Sequence, residues 1–209
     1  MKTLEKIALS VDQCRKDLAE FKDLLDRKQA LSERKDILPF FRAHKHLAAL
    51  VGSYNPRINR FDLVATEFSL FGDFACDLII GDSVNRDFCF VEFEDASPQS
   101  VFIKKKGKST PEWSPRFDRG FSQIIDWFLI LEDQERTGLH KSKFGLDVIQ
   151  FVGLLVIGRR KDLDDSQYER LVWRSDQVRV GHRQVHCITF DDLYETLEWK
   201  QRIFGWPWD

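Results

Sequence analysis

Three acidic residues lie at the ends of two apolar segments, where a simple fold would bring them together. Asp77 belongs to the run Cys76 to Ile80, and Glu92 and Glu94 close the run Phe88 to Phe93. Short apolar runs rich in aromatic and branched residues are typical of strands buried on both faces. Turn-forming residues separate the runs, so we expect an antiparallel hairpin. In this hairpin Asp77 lies opposite or nearly opposite Glu92, and Glu94 shares the face of Glu92, because side chains alternate along a strand.

Three neighbouring carboxylates repel one another, and burying them is costly unless a cation, an arginine or a bound proton offsets the charge. Carboxylate oxygens are also ligands that divalent metals such as Mg²⁺ accept in proteins. The spacing therefore indicates a metal site. It is equally compatible with strand ends whose acids are solvated.

Four segments, in the same order, resemble a known family. They are GDFACDLIIGD, CFVEFEDAS, the helical GFSQIIDWFLIL and VHCITFDDL, and with their surroundings they cover about residues 38–199. Asp77 and the frame apolar-Glu92-x-Glu94 resemble the D…(D/E)xK signature of the PD-(D/E)xK nuclease superfamily, with glutamate at the usual lysine position. Within that superfamily the pattern looks most like the nuclease domain of Shedu antiphage defence, the SduA C-terminal type.

The resemblance implies an endonuclease that uses Mg²⁺ or Mn²⁺ to hydrolyse phosphodiester bonds in DNA during antiphage defence. Asp77 and Glu92 would hold the metal with the Phe93 carbonyl, and Glu94 would position or deprotonate the attacking water or bind a second metal. Gln123 would face the site from a helix, although an exposed helix position explains it equally well. The family also carries an acidic residue on the helix before the sheet, which this sequence does not place.

Two other classes of function remain open at this point. Because Glu94 replaces the motif lysine, the chain could be a degenerate nuclease fold that binds nucleic acid without cutting it. It could also be a structural partner in a larger assembly, which a helical arm and an aromatic tail would favour.

Two basic patches could contact a nucleic-acid backbone. Four lysines follow Glu94 in a polar segment predicted as a long loop, and two arginines follow a predicted buried strand, at Arg159 and Arg160. Clustered basic side chains neutralise phosphates, but a solvated loop explains the lysines as well. The lysines are Lys104, Lys105, Lys106 and Lys108.

The order of the segments predicts an α/β fold with a restriction-endonuclease-like αβββαβ core and a mixed sheet flanked by helices. We expect a domain over residues 36–209, a helix to about residue 51, strands over 61–70, 76–80 and 88–93, a helix over 116–134 and a strand over 148–157. A loop is expected at 138–143. Further elements follow, with a helix over 164–173, a strand over 185–190 and a helix over 191–202 capped by Asp191 or Asp192.

Residues 1–35 predict an N-terminal helical arm, because apolar residues recur at spacings of three and four from Leu4 to Leu25. This stripe could pair two chains or could pack on its own domain. The tail that holds Phe204, Trp206 and Trp208 is too apolar to stay in water, so we expect it to dock on the domain or on a second subunit. The arm and the tail are therefore the predicted contacts of a homo-oligomer.

The composition of the 209 residues limits the remaining classes. The net charge is −2, so any DNA contact must come from local patches. The four cysteines include no CxxC pair, which argues against zinc and disulfides. Early charged residues interrupt any signal peptide or membrane span, so a cytoplasmic protein without a membrane partner is expected.

Overall fold

The computed structural model describes residues 3–204, and side chains up to residue 202. The strands are β1 (Glu5–Lys6), β2 (Leu63–Ser69), β3 (Ala75–Gly81), β4 (Asp87–Phe93), β5 (Phe102–Ile103), β6 (Glu112–Trp113), β7 (Gln150–Val156), β8 (Arg179–Val180) and β9 (Arg183–Ile188). The α-helices are α1 (Val11–Arg27), α2 (Leu38–Ala43), α3 (Lys45–Leu50), α4 (Pro115–Asp133), α5 (Gly138–Phe144), α6 (Asp165–Gln177) and α7 (Phe190–Phe204). In this described part no helix is both long and apolar enough to cross a membrane.

A mixed sheet of seven strands, in the order β1-β2-β3-β4-β7-β9-β8, forms the centre of the fold. The strands β2, β3 and β4 make an antiparallel meander, and α4 and α5 then lead to β7, which runs parallel to β4. Strand β9 continues the parallel part beside β7. The αβββαβ core and the mixed α/β sheet predicted from the sequence are confirmed.

Helices cover both faces of the sheet, which is why β4 is buried at every position. On one face α4 packs through Phe117, Ile124 and Trp127 against the side chains of β4, β7 and β9. On the other face α1, α3 and α7 share a second core with residues such as Phe93. The long apolar runs of the sequence follow from this double coverage.

The N-terminal segment differs from the predicted continuous helix. Residues 5 and 6 form β1, which pairs with β2 and is the edge strand of the sheet, and α1 begins only at Val11, where the Ser10 hydroxyl accepts a hydrogen bond from the Gln13 N–H. The stripe residues Leu18, Phe21 and Leu25 are buried in the core shared with α3 and α7. This packing favours the alternative in which the stripe packs on its own domain, and a homo-oligomer formed through the arm stays a prediction.

Three other segments depart from the sequence prediction. The helix expected up to residue 51 breaks at His44, whose backbone ends α2 and precedes α3. The predicted loop at 138–143 is helix α5, because Thr137 caps it and Phe144 anchors it in the core. The polar segment after Glu94 contains the β5–β6 hairpin, which Phe102 and Trp113 hold together with ring centroids 4.4 Å apart.

The two ends of α7 have separate outcomes. Thr189 caps the helix in place of the predicted aspartates, since its hydroxyl accepts a hydrogen bond from the Asp192 N–H. The side chain of Phe204 and all of Trp206 and Trp208 lie outside the described residues, so the docking of the tail stays a prediction.

Candidate active site

Three acidic residues occupy adjacent positions on β2, β3 and β4. The β3–β4 ladder pairs Leu78 with Val91, so the next position along the strands sets Asp77 opposite Glu92. On the other side of β3, the β2–β3 pairs at residues 66 and 68 bracket Glu67, which therefore lies across from Asp77. The register between Asp77 and Glu92 is the one that the sequence predicts.

Glu67 interrupts its strand. Its φ angle is +49°, in the left-handed region that a residue with a side chain seldom adopts. Its carboxylate accepts a hydrogen bond from the Arg42 guanidinium at 2.8 Å. Strained backbone of this kind is found most often at functional sites, where the surrounding structure holds it in place.

Asp77 and Glu92 are acids with little compensation. The Asp77 Oδ2 atom accepts a hydrogen bond from the Phe93 N–H at 2.8 Å, whereas Oε2 of Glu92 is buried without a hydrogen-bond partner among the described residues. Burial, together with the neighbouring carboxylates, raises the pKa of Asp77 to about 7 and that of Glu92 to about 10. Both groups would therefore gain from a cation.

Glu33 adds a fourth carboxylate from outside the sheet. It begins a π-helical turn, Glu33–Ile37, in which the Leu38 N–H donates to the Glu33 carbonyl, five residues back. Burial and the nearby Glu94 raise the pKa of the Glu33 carboxyl. π-helical turns are rare and are concentrated at functional sites. Glu33 thus lines the cleft from a helical turn that precedes the main strands of the sheet.

Glu94 has a different environment from Glu92. Its side chain is 1 % exposed, and its oxygens accept hydrogen bonds from Nη1 of Arg116 at 2.7 Å and Nη2 of Arg119 at 3.1 and 3.3 Å. Helix α4 comes close enough because residue 120 is glycine: a Cβ there would lie 3.1 Å from Cγ of Glu94. A carboxylate held this way is not placed to take a proton from water, so the structure does not support Glu94 as a base.

A cleft of about 640 Å³ opens over the acidic row. Acids, arginines and one amide line it, and Gln123 of α4 is half-buried at its wall, as predicted for a residue that faces the site. Its charged and amide lining residues are Glu33, Arg34, Arg42, Glu67, Asp77, Glu92, Arg119 and Gln123. Acidic and basic side chains line one space, which suits a metal and an anion bound together.

The predicted basic patches lie outside the lining of this cleft. The lysines at 104, 105, 106 and 108 are exposed between β5 and β6, and Glu112 forms ion pairs with Lys105 and Lys108. Arg160 is half-exposed and stacks on the ring of Tyr168. Arg160 also forms an ion pair with Asp192 at 3.4 Å. The lysines and Arg160 are therefore exposed where a nucleic acid could extend beyond the cleft, although Lys105, Lys108 and Arg160 already have an acidic partner.

The structure does not support Arg159 as a DNA contact. Its side chain is 5 % exposed. The guanidinium donates to both oxygens of Asp191 and to the carbonyls of Leu25 and Lys28. It therefore joins α1 to the start of α7, because a buried guanidinium needs partners for its donors.

A family model described as Shedu protein SduA, C-terminal, matches residues 30–194. This match covers most of the chain. The protein belongs to this family. Comparison with curated proteins gives no significant match.

The match to the Shedu SduA C-terminal family begins just before the π-helical turn and ends in α7, so it contains every acidic residue of the cleft. Three residues that the sequence analysis did not single out, Glu67, Arg116 and Arg119, could have been found from the sequence. A turn centred at Gly72 already sets Glu67 opposite Asp77, and Arg116 and Arg119 are three residues apart on one helix face. Glu33 carried no such signal, because a π-helical turn has no sequence pattern that we could use.

The donor set of this Shedu-family cleft fits a hard divalent cation. Among residues 3–204 no three acidic, histidine or cysteine side chains already stand together as a metal-binding group. Mg²⁺, however, is usually bound by one or two carboxylates, with water and substrate phosphate completing its shell. Asp77 and Glu92 meet that requirement. The buried Oε2 atom of Glu92 could serve as a metal ligand, because it has no hydrogen-bond partner among the described residues.

Proposed function

We propose that the protein is a nuclease that hydrolyses phosphodiester bonds in DNA with Mg²⁺ or Mn²⁺, in antiphage defence. The observation that carries this proposal is the pair Asp77 and Glu92, opposite each other on β3 and β4 and facing a cleft rimmed by arginines. Membership of the Shedu family supports it, since this family suggests antiphage defence and a nuclease-like role.

Asp77 and Glu92 would hold the metal, with the Phe93 carbonyl as a further oxygen ligand. The bound metal would lower the pKa of a water molecule and stabilise charge on the phosphoryl oxygens. The Phe93 N–H orients the Asp77 carboxylate through its hydrogen bond to Oδ2. Glu33, which also lines the cleft, would accept a proton from the attacking water or complete the metal shell.

The hydrolysis itself needs few other parts. Water attacks phosphorus, the bond from phosphorus to one ester oxygen breaks, and the leaving oxygen takes up a proton to become a hydroxyl group. Gln123, half-buried at the cleft wall, can donate its amide N–H to a phosphate oxygen or to the water. The exposed lysines of the β5–β6 turn would then hold the DNA backbone farther along the duplex.

A module that binds nucleic acid without cutting it is the second candidate. Two observations favour it: glutamate replaces the motif lysine at position 94, and the described residues hold no preformed group of three metal ligands. On this alternative the acidic row would be a remnant of the ancestral chemistry, and the basic patches would carry the function.

A cleavage assay separates the two candidates. The full chain is incubated with supercoiled, nicked and linear DNA and with RNA, in Mg²⁺, Mn²⁺ or EDTA. We expect DNA products with either metal and none in EDTA. Asp77→Asn should abolish them, whereas Asp73→Asn, which changes an exposed aspartate at the start of the same hairpin arm, should not. Absence of metal-dependent products from the wild-type protein would leave the binding module.

A further inference from the structure

The motif lysine of this superfamily is replaced by Glu94, yet the cleft still holds a positive charge next to that position. The Glu94 carboxylate lies beneath α4 and accepts hydrogen bonds from Arg116 and Arg119. These arginines are one helical turn apart, on the same face of α4. One carboxylate therefore holds two guanidinium groups at the edge of the acidic row.

The two arginines are not equivalent. Arg116 is shared between two carboxylates, because its Nη2 also contacts Asp95 at 3.0 Å, and its side chain is mostly covered. Arg119 contacts Glu94 through Nη2 alone, its side chain is 62 % exposed, and it lines the cleft with Asp77 and Glu92. Arg116 is thus neutralised within the fold, whereas Arg119 presents a guanidinium to whatever enters the cleft.

A guanidinium with several unused donors binds phosphate oxygens in a bidentate way, as carboxylates do. An incoming DNA strand brings negative charge towards Glu33, Glu67, Asp77 and Glu92, and one divalent cation offsets only part of that charge. A fixed cation at the position of Arg119 reduces the remaining repulsion.

We propose that Arg119 is a catalytic residue that binds the DNA phosphate at the cleavage site, in place of the motif lysine, and that Glu94 is the residue that positions it. This inference rests on the proposed nuclease function. It reverses the role predicted for Glu94: the carboxylate acts on a cation of its own chain and does not act on the water.

The test compares Arg119→Gln with Arg15→Gln. Arg15 on α1 is also 62 % exposed and also pairs with an acid, Asp12, three residues away, so it controls for the loss of one surface charge. Cleavage with Mg²⁺ should fall about a hundredfold or more in Arg119→Gln, on the scale of losing one preorganised donor. It should fall about tenfold in Arg119→Lys, which keeps the charge, and should not change in Arg15→Gln.

A binding measurement in EDTA reports on the contact without the reaction. In an Asp77→Asn background, Arg119→Gln should weaken DNA binding and reduce the slope of log affinity against log salt by up to about 0.9. Arg15→Gln should leave that slope unchanged. An unchanged slope in Arg119→Gln would overturn the phosphate contact, whatever happens to the rate.

Glu94 has its own signature. Glu94→Gln should lower the rate at saturating DNA about tenfold or more, while DNA affinity stays equal or becomes tighter because a negative charge is lost. Glu94→Asp should recover part of the rate. A parallel loss of rate and affinity would indicate damage to the fold and would overturn the positioning role.

The outcome for the inference can be told apart from the outcome for the proposed function. If the wild-type protein cleaves DNA and Arg119→Gln cleaves it equally well, only the role of Arg119 is overturned. If the wild-type protein never cleaves but Arg119→Gln still lowers the salt slope, the phosphate contact stands and the nuclease function falls.

Discussion

Glu92 and Glu94 are two residues apart on one strand face, yet the fold treats their charges in opposite ways. Glu92 faces the cleft with an oxygen that lacks a partner in the described part of the chain, and its pKa is raised to about 10. Glu94 lies under α4 with hydrogen bonds from two arginines. A carboxylate left uncompensated favours binding a cation from solution, and a carboxylate already paired does not.

This difference has a structural cause in the elements that pass over each residue. Above Glu94, α4 begins with Arg116, Arg119 and Gly120, and the glycine allows close contact. Above Glu92 the chain leaves an open cleft. Position in the motif therefore does not decide which acid is chemically available; the neighbouring helix does.

The largest expected difference between Glu92 and Glu94 is in the rate of DNA cleavage after substitution. Glu92→Gln should lower metal-dependent cleavage by about a thousandfold or more, roughly 4 kcal/mol in the activation barrier, because it removes a metal ligand. Glu94→Gln should lower the rate of metal-dependent cleavage only ten- to a hundredfold. Single-turnover rates with Mg²⁺ measure both, and a larger loss in Glu94→Gln than in Glu92→Gln would reverse our assignment.

The free energy of unfolding should change in opposite directions in the same two variants. In EDTA at pH 7, Glu94→Gln should destabilise the protein by about 2 kcal/mol, since charged hydrogen bonds are lost at a buried site. Glu92→Gln should stabilise it, because a buried, poorly solvated acid is removed. Urea unfolding followed by circular dichroism gives both values. Equal destabilisation would mean that the two acids are compensated alike.

The pH dependence of stability tests the raised pKa of Asp77. In the unfolded chain this carboxyl titrates near 4, and burial raises its folded pKa to about 7. Between these values the folded state binds more protons than the unfolded state, so the carboxyl lowers stability progressively as pH rises. Asp77→Asn does not titrate. In EDTA, the gain in unfolding free energy of Asp77→Asn over wild type from this effect should therefore be absent below pH 4, grow up to about pH 7 and then level off.

A melting series from pH 4 to pH 8 checks this expectation, with Asp73→Asn as the exposed control. In a protein of this size a gain of about 1 kcal/mol raises the melting temperature by roughly 2–4 °C. A difference that shrinks with rising pH would contradict the raised pKa.

The smallest effect concerns the lysines, where a similar contrast between paired and unpaired charge recurs. Lys105 and Lys108 pair with Glu112, whereas Lys104 and Lys106 form no ion pair within residues 3–204. Replacing Lys104 and Lys106 by Gln should reduce the salt slope of DNA binding by up to about 1.8. Replacing Lys105 and Lys108 should reduce it less. Equal slopes in both double variants and the wild type would make the turn an ordinary solvated loop.

The sequence predicts the sheet well because its strands are unusual. Runs such as Phe88 to Phe93 are apolar at nearly every position, which only strands covered on both faces require. The turn between β3 and β4 then fixes the register, and with it the meeting of Asp77 and Glu92. These features depend on local pattern, so they can be read without the structure.

The features that the sequence does not reveal depend on long-range contacts. The stripe of α1 has the spacing of a dimer seam, but α3 and α7 bury it, and spacing alone cannot identify the covering element. The sequence predicts Arg159 as an exposed basic residue, although its guanidinium is buried in an ion pair with Asp191, 32 positions later. The motif predicts Glu94 as a residue that acts on water, but in the fold α4 places two arginines against its carboxylate.

The π-helical turn at Glu33 gives the cleft a dependence on chain length. A π-helical turn contains one more residue than an α-helical turn, so deleting a single residue within it would restore ordinary α geometry. The residues of the turn that precede the deletion would rotate by about 100° around the helix axis. The Glu33 side chain would then turn away from the acidic row while every acid in the sheet stayed in place. A one-residue deletion could thus dismantle the cleft as completely as the loss of a carboxylate, and sequence comparisons that score substitutions alone would overlook it.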